Sequence, residues 1–172
     1  LFQTQYLLKP LASGGGFFSR EMLELLRGSH SRVSTPETGK NYVAGIDIAG
    51  EAEEAYDNLL ETRPRQDATV VTIAEISFPA GCSEPLIKIV EHYSWTGEKH
   101  PTQHDKLTRL LGKHWKCRKI VIDATGIGQP VASFLQSSIG SRVEPFTFTT
   151  RSKSELAFEI LAAVNSGRVK MY

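Results

Sequence analysis

Two aspartates stand where an apolar strand would ordinarily exclude them. Asp47 interrupts Tyr42-Val43-Ala44-Gly45-Ile46-Asp47-Ile48, and Asp123 closes Arg118-Lys119-Ile120-Val121-Ile122-Asp123, just before the turn Ala124-Thr125-Gly126-Ile127-Gly128. An ionised carboxylate among such residues is costly unless something compensates it. Taken singly, each has an ordinary explanation: Asp47 as a turn or cap residue near a strand end, Asp123 as the N-cap or Asx-turn of a following helix. The pair says more. If the strand ending at Asp123 lies beside the strand holding Asp47, two like charges meet at the sheet edge where ligands of open α/β sheets gather. A divalent cation resolves that repulsion, and Mg²⁺ and Mn²⁺ are hard ions that prefer carboxylate oxygens and retain water. Two such ions about 3.5–4 Å apart can activate a water and stabilise the leaving oxygen of a phosphodiester, so metal-assisted hydrolysis is the chemistry to expect.

The remaining polar candidates are weaker. Arg151 and Lys153 open a helical segment, where the helix N-terminus and basic side chains could together meet a phosphate; a solvated basic turn reads equally well. His100 and His104 are four apart, but Pro101 between them argues against one helix face holding a metal, and His30, His92 and His114 show no partner pattern. Phe146 and Phe148 alternate as strand residues do and are expected in the core rather than as stacking platforms for bases. The Gly39-Lys40 pair has Ser34 where a phosphate loop needs its first glycine and Asn41 where it needs Ser or Thr, so no ATP-hydrolysing motif is present.

The elements that must position these residues follow from periodicity. Strands are expected over residues 42–48, Ala68–Ser77, Leu86–Tyr93, Arg118–Asp123 and Val143–Thr149. Helices are expected over Ser19–Arg27 with Ser19 as N-cap, over Asp105–Lys116 with a capping box from Thr102 to Asp105, from Val131 to Ser138, and over Ser152–Asn165 with a capping box from Ser152 to Glu155. Gly167 stops the last helix, and a strand-like run from Arg168 to Tyr172 follows. Residues 49–67 read as an acidic, irregular connection. Three meandering strands followed by strands alternating with helices imply an α/β fold with a mixed sheet covered on both faces.

Bulk properties bound the function without naming it. The chain has 172 residues and a net charge of +1, so any nucleic-acid surface must come from local clustering of Lys and Arg. Its 40% hydrophobic and 23% charged shares are those of an ordinary globular domain, enough for one core and an appendage. Cys82 and Cys117 lie far apart and outside any metal-binding spacing, which suits a reducing cytoplasm. No apolar run approaches the roughly 20 residues of a membrane span. The chain opens on Leu1 without the layout of a secretory signal and stops directly after a strand-like run, and is read as a fragment.

The segments YVAGIDIAGE, QDATVVTIAEI, VIDATGIGQPVASFL and TRSKSELAFEILAAVNSGRVKMY resemble, in order and spacing, the nuclease half of the large terminase subunit of tailed bacteriophages and prophages. The resemblance implies a ribonuclease H-like mixed five-stranded sheet flanked by helices over residues 42–172, truncated at its C-terminal end. It also implies that residues 1–41, with FQTQYLLKPL, are the tail of an upstream ATPase domain and its linker. It further implies a metal-dependent endonuclease that cuts concatemeric double-stranded viral DNA, with Mg²⁺ or Mn²⁺, two ions in the complete site, held by a carboxylate cluster. Asp47 falls on the family's first carboxylate and Asp123 on its second. The third is expected after the strand that begins at Gly167, beyond Tyr172. Asp67 matches the family's strand-two aspartate, a candidate for a place behind the metal; a strand-start cap is the plainer reading. Portal protein and small terminase subunit are the partners implied for the full-length protein, no membrane is involved, and the cytoplasm of the infected or lysogenic bacterial host is the implied location. Three rivals remain open: a resolvase- or transposase-like nuclease of the same fold, a catalytically inert docking module, and an actin-like sugar kinase. The last shares superficial phosphate-loop likeness at Asp47–Gly50 and Asp123–Gly128 but would need a second, duplicated half.

Overall fold

In the computed structural model, residues 17–49, 67–126 and 128–172 are described. Residues 50–66 of the expected connection over 49–67, the opening segment through Gly16, and Ile127 lie outside them. A short helix α1 (Arg20–Leu26) precedes strands β1 (Asn41–Asp47), β2 (Ala68–Ser77) and β3 (Leu86–Thr96). Helix α2 (His100–Leu107) continues as a π-helical segment over Thr108–His114, and β4 (Lys119–Asp123), α3 (Gly128–Ile139), β5 (Val143–Phe146), α4 (Thr150–Asn165) and β6 (Val169–Met171) follow.

The strands form one mixed sheet in the order β5-β4-β1-β2-β3-β6. β1, β2 and β3 meander antiparallel, whereas β4 joins β1, β5 joins β4 and β6 joins β3 in parallel. The sheet therefore has six strands rather than the expected five. The run after Gly167 pairs Val169, Lys170 and Met171 with Ile87, Lys88 and Ile89 instead of trailing off.

Alternation along β1 sorts its side chains between two unlike faces. Tyr42, Ala44, Ile46 and Ile48 join Val71, Ile73, Ile120 and Ile122 in the main core, roofed by Leu107, Leu111 and Trp115 and by Val131 and Leu135 of α3. On the second face, a small cluster gathers Ala163, Val164 and Val169 with Met22, Leu26, Ile87 and Ile160. That cluster serves the β3–β6 side, so the second face is not evenly covered as expected. Among the described residues it is left open over β1 and β4.

Three helix starts differ from expectation. α2 begins at His100 with Lys99 as N-cap and no side-chain cap; Pro101 sits in the first turn, where its missing N–H costs nothing. α3 begins at Gly128. α4 is capped by Thr149, whose hydroxyl accepts from the Ser152 N–H while the Ser152 hydroxyl accepts from the Thr149 N–H, so Ser152 is the third helical residue rather than the cap. Ser19 caps α1 as expected, accepting from the Met22 N–H. Gly167, with φ of 68°, ends α4 in the left-handed conformation that glycine adopts without strain.

Candidate functional site

Parallel pairing of β1 with β4 aligns Ala44 with Ile120, Gly45 with Val121 and Ile46 with Ile122. Continued by one residue, this register sets Asp47 beside Asp123 on strands about 4.8 Å apart, with both side chains on the same face. That face is the open one: Asp47 and Asp123 line a single cleft of about 350 Å³, together with Gly45, Thr72, Phe146, Phe148 and Leu156. Gly45 forms part of its floor; a Cβ there would meet nothing within 4 Å, so the missing side chain adds to the open space.

Asp123 is half-buried and held from its own turn. Its Oδ1 accepts from the Thr125 N–H at 2.8 Å, an Asx-turn that leaves the second oxygen available. The turn fixes this carboxylate at the cleft edge. The turn is tied to the next one, as the Ala124 N–H donates to the Phe146 carbonyl at 2.9 Å and the Phe148 N–H to the Thr125 hydroxyl at 3.0 Å. Gly128 closes against this point, and a Cβ there would collide with the Asp123 carbonyl oxygen.

The end of β1 is anchored by a buried polar chain. The Ala49 N–H donates to the Thr69 hydroxyl (3.0 Å), that hydroxyl donates to Gln103 Oε1 (3.1 Å), and Gln103 Nε2 donates to the Glu98 carbonyl (2.9 Å). Thr69 and Gln103 are fully buried, so this chain fixes the backbone beyond Asp47 to the first turn of α2. Nothing in the sequence marks these residues, because the partners lie 20 and 34 positions apart.

The other candidates fall around this pair to different degrees. Asp67 immediately precedes β2 at the same sheet edge but is not part of the cleft wall. The Lys153 ammonium lies 5.6 Å from the centroid of the Phe148 ring, at the cleft rim. Arg151 is engaged by Glu155 at 2.7 Å, one turn along the same helix. Phe146 and Phe148 are not core residues. Pairing stops at Asp123 with Phe146, so Phe148 leaves the strand, and the two rings meet edge to face at 5.0 Å as a wall of the cleft. His104 is occupied by the Ser138 hydroxyl at 2.9 Å. Among the described residues, no group of three or more His, Cys, Asp or Glu side chains is placed to hold a metal.

Residues 44–172 match the family described as the terminase RNaseH-like domain. The chain belongs to this family. The fold of this terminase RNaseH-like domain is shared with the large terminase nuclease of thermophilic phage G20c, solved with bound magnesium: 17% identity, a TM-score of 0.60, and 87% of this chain on 71% of that one. The same nuclease with bound cobalt aligns at 18% identity with a TM-score of 0.59. The large terminase of bacteriophage HK97 aligns at 14% identity and a TM-score of 0.53 over 90% of this chain, which spans 33% of that longer protein. No match is found among curated protein sequences. No helix among the described residues of this terminase domain is long and apolar enough to cross a membrane.

Proposed function

We propose that this chain is a metal-dependent endodeoxyribonuclease, the part of a phage DNA-packaging terminase that cuts concatemeric double-stranded viral DNA. The observation that carries this reading is the placement of Asp47 and Asp123 at one register position of two parallel strands, on the open face of the sheet. Side-by-side carboxylates with an oxygen to spare fit a hard divalent cation such as Mg²⁺ or Mn²⁺ in donor chemistry and charge. When bound, such ions supply an activated water and neutralise charge on the scissile phosphate. Asp47 and Asp123 hold the metal; the Thr125 N–H orients Asp123, and the Thr69–Gln103 chain steadies the end of β1. Phe146, Phe148 and Leu156 shield one side of the cleft from water, and Lys153 offers a cation to a phosphate at its rim. Asp67, just before β2 at the same sheet edge, is assigned a place behind the pair on the family resemblance alone, and Arg151 reaches a phosphate only by exchanging Glu155 for it.

In this reading, which rests on the resemblance to the family, a third carboxylate from chain following β6 completes the site. In the full-length protein, residues 1–41 join this domain to a packaging ATPase, with portal protein and small terminase subunit as partners in the bacterial host cytoplasm. The test is nicking of supercoiled plasmid in Mn²⁺ and in Mg²⁺, by this chain and by a longer one continuing past Tyr172. Metal-dependent cutting that is faster in the longer chain and lost in Asp123→Asn supports the assignment. Equal rates would place the third ligand inside these residues, and no cutting by either chain in any metal would leave an inert docking module.

A further inference from the structure

The chain's near-neutral total hides a local excess. Between Lys99 and Lys119 lie seven lysines and arginines against the single acid Asp105, in a chain of net charge +1. Elsewhere among the described residues half of the ten lysines and arginines are paired: Arg27 with Glu24, Arg32 with Glu91, Lys40 with Glu37 and Glu75, Arg151 with Glu155 and Arg168 with Glu84. Within the basic stretch only Lys106 and Lys119 have an ion-pair partner among the described residues, Glu98 and Glu144.

These cations share one surface. Gln103, Leu107, Leu111 and Trp115 bury one flank of α2 and its π-helical continuation, leaving Lys106, Arg109, Lys113 and Lys116 exposed on the other. Lys106, Arg109 and His114 line one groove with Glu98 and Asp105, and Lys40, His114, Lys116 and Arg118 line the next with Glu37, so the concave surface runs on past His114 with cations in excess. Lys116 itself has φ of 50°, the left-handed conformation at a helix end where glycine is the ordinary occupant. A lysine stands there at a cost in local backbone preference. The start of this surface lies at the sheet edge of Asp47 and Asp123, since β3 ends at Thr96 opposite Ala68 and Gln103 is joined through Thr69 to the end of β1.

We propose that Lys106, Arg109, Lys113 and Lys116 form a track for the phosphate backbone of duplex DNA, running along the roof of the main core to the edge that carries the carboxylates. The proposal rests on the reading that DNA is the substrate. Even at the α-helical rise, Lys106 to Lys116 span no more than roughly 15 Å, a length over which one DNA strand presents up to about four phosphates. Base readout is not part of it, because the side chains are flexible point charges.

The test is fluorescence anisotropy of a duplex of arbitrary sequence titrated with this chain in EDTA, where no cutting competes, across a range of salt concentrations. Each phosphate contact contributes about 0.9 to the slope of log affinity on log salt. Lys106→Gln/Arg109→Gln/Lys113→Gln should therefore lower the slope by roughly 2.7, and Lys116→Gly by about 0.9. Lys116→Gly also relieves backbone strain, so its melting temperature should hold or rise while DNA binding weakens, a combination that damaged folding cannot produce. An unchanged slope in both variants, or no duplex binding by the unaltered chain, overturns the track. Plasmid nicking by the same proteins separates the two readings. Metal-dependent nicking with unchanged slopes leaves the nuclease without this track, and altered slopes without nicking leave the track on a protein that does not cut.

Discussion

Ile122 and Asp123 are chain neighbours on β4, yet they belong to opposite sides of the sheet with opposite tasks. Ile122 is fully buried in the main core, while Asp123 faces a cleft beside Asp47. The same division separates Ile46 from Asp47 on β1. The roofed face supplies stability, whereas the open face gives up packing to keep two carboxylates and a glycine floor accessible. Period-two alternation therefore lets two consecutive positions on each of β1 and β4 serve structure and chemistry with little interference.

The sharpest way to break that comparison is to exchange effects across it. Asp123→Asn and Asp47→Asn should each reduce metal-dependent plasmid nicking by more than the roughly 10–100-fold that loss of an outer partner of a metal ligand costs, with melting temperature in EDTA nearly unchanged. A large drop in metal-free stability would mean that these residues serve the fold. Ile122→Ala, one residue away, should cost about 2–5 kcal/mol in urea unfolding; a small cost would mean that the roofed face is not where stability resides. Gly128→Ala crosses the boundary, because its Cβ would strike the Asp123 carbonyl, so nicking and stability should fall together.

Smaller effects refine the picture. Mn²⁺ should raise the melting temperature of the unaltered chain by mass action, and Asp47→Asn should remove most of that increment; an unchanged response would place the ion elsewhere. On the roofed face, burial pushes the Cys117 thiol up to about 12. The unfolded thiol ionises first, so the folded chain should lose stability as pH rises from about 9 towards 12, and Cys117→Ala should flatten that decline. Iodoacetamide at pH 8 should label exposed Cys82 and leave Cys117 untouched until urea is added.

Much of this division is legible in the sequence. β2 spans Ala68–Ser77 as its composition indicates, and Asp47 and Asp123 stand out because an apolar strand has no use for them. The connections are less so. Pro101 reads as a helix breaker but sits in the first turn of α2, where proline is favoured, and the π-helical turns after Leu107 leave no periodic trace in so short a segment. Thr149 and Ser152 offer equivalent hydroxyls, and only the backbone at Thr149 decides which is the cap. Phe146 and Phe148 alternate like core residues, yet β5 ends between them because its partner β4 ends at Asp123. The Thr69–Gln103 contact depends on a helix crossing that no local pattern encodes.

The outer margins of the sheet carry a consequence for handling this protein. Beyond β3, β6 covers Ile87–Ile89, and the segment after α1 takes over: the Gly28 N–H bonds the Met171 carbonyl, His30 the Ile89 carbonyl and the Val33 N–H the Val90 carbonyl, with Arg32 locked to buried Glu91. At the far margin, β5 is four residues long and carries Pro145, which has no N–H to offer, and charged Glu144. Both rims are thus closed to strand addition from a neighbouring molecule. Trimming the chain back to Asn41 would strip one of these guards and leave the outer hydrogen-bonding groups of Ile89 and Val90 without their partners. Such a shortened protein would carry the carboxylate pair but be prone to aggregate through the stretch of β3 beyond β6.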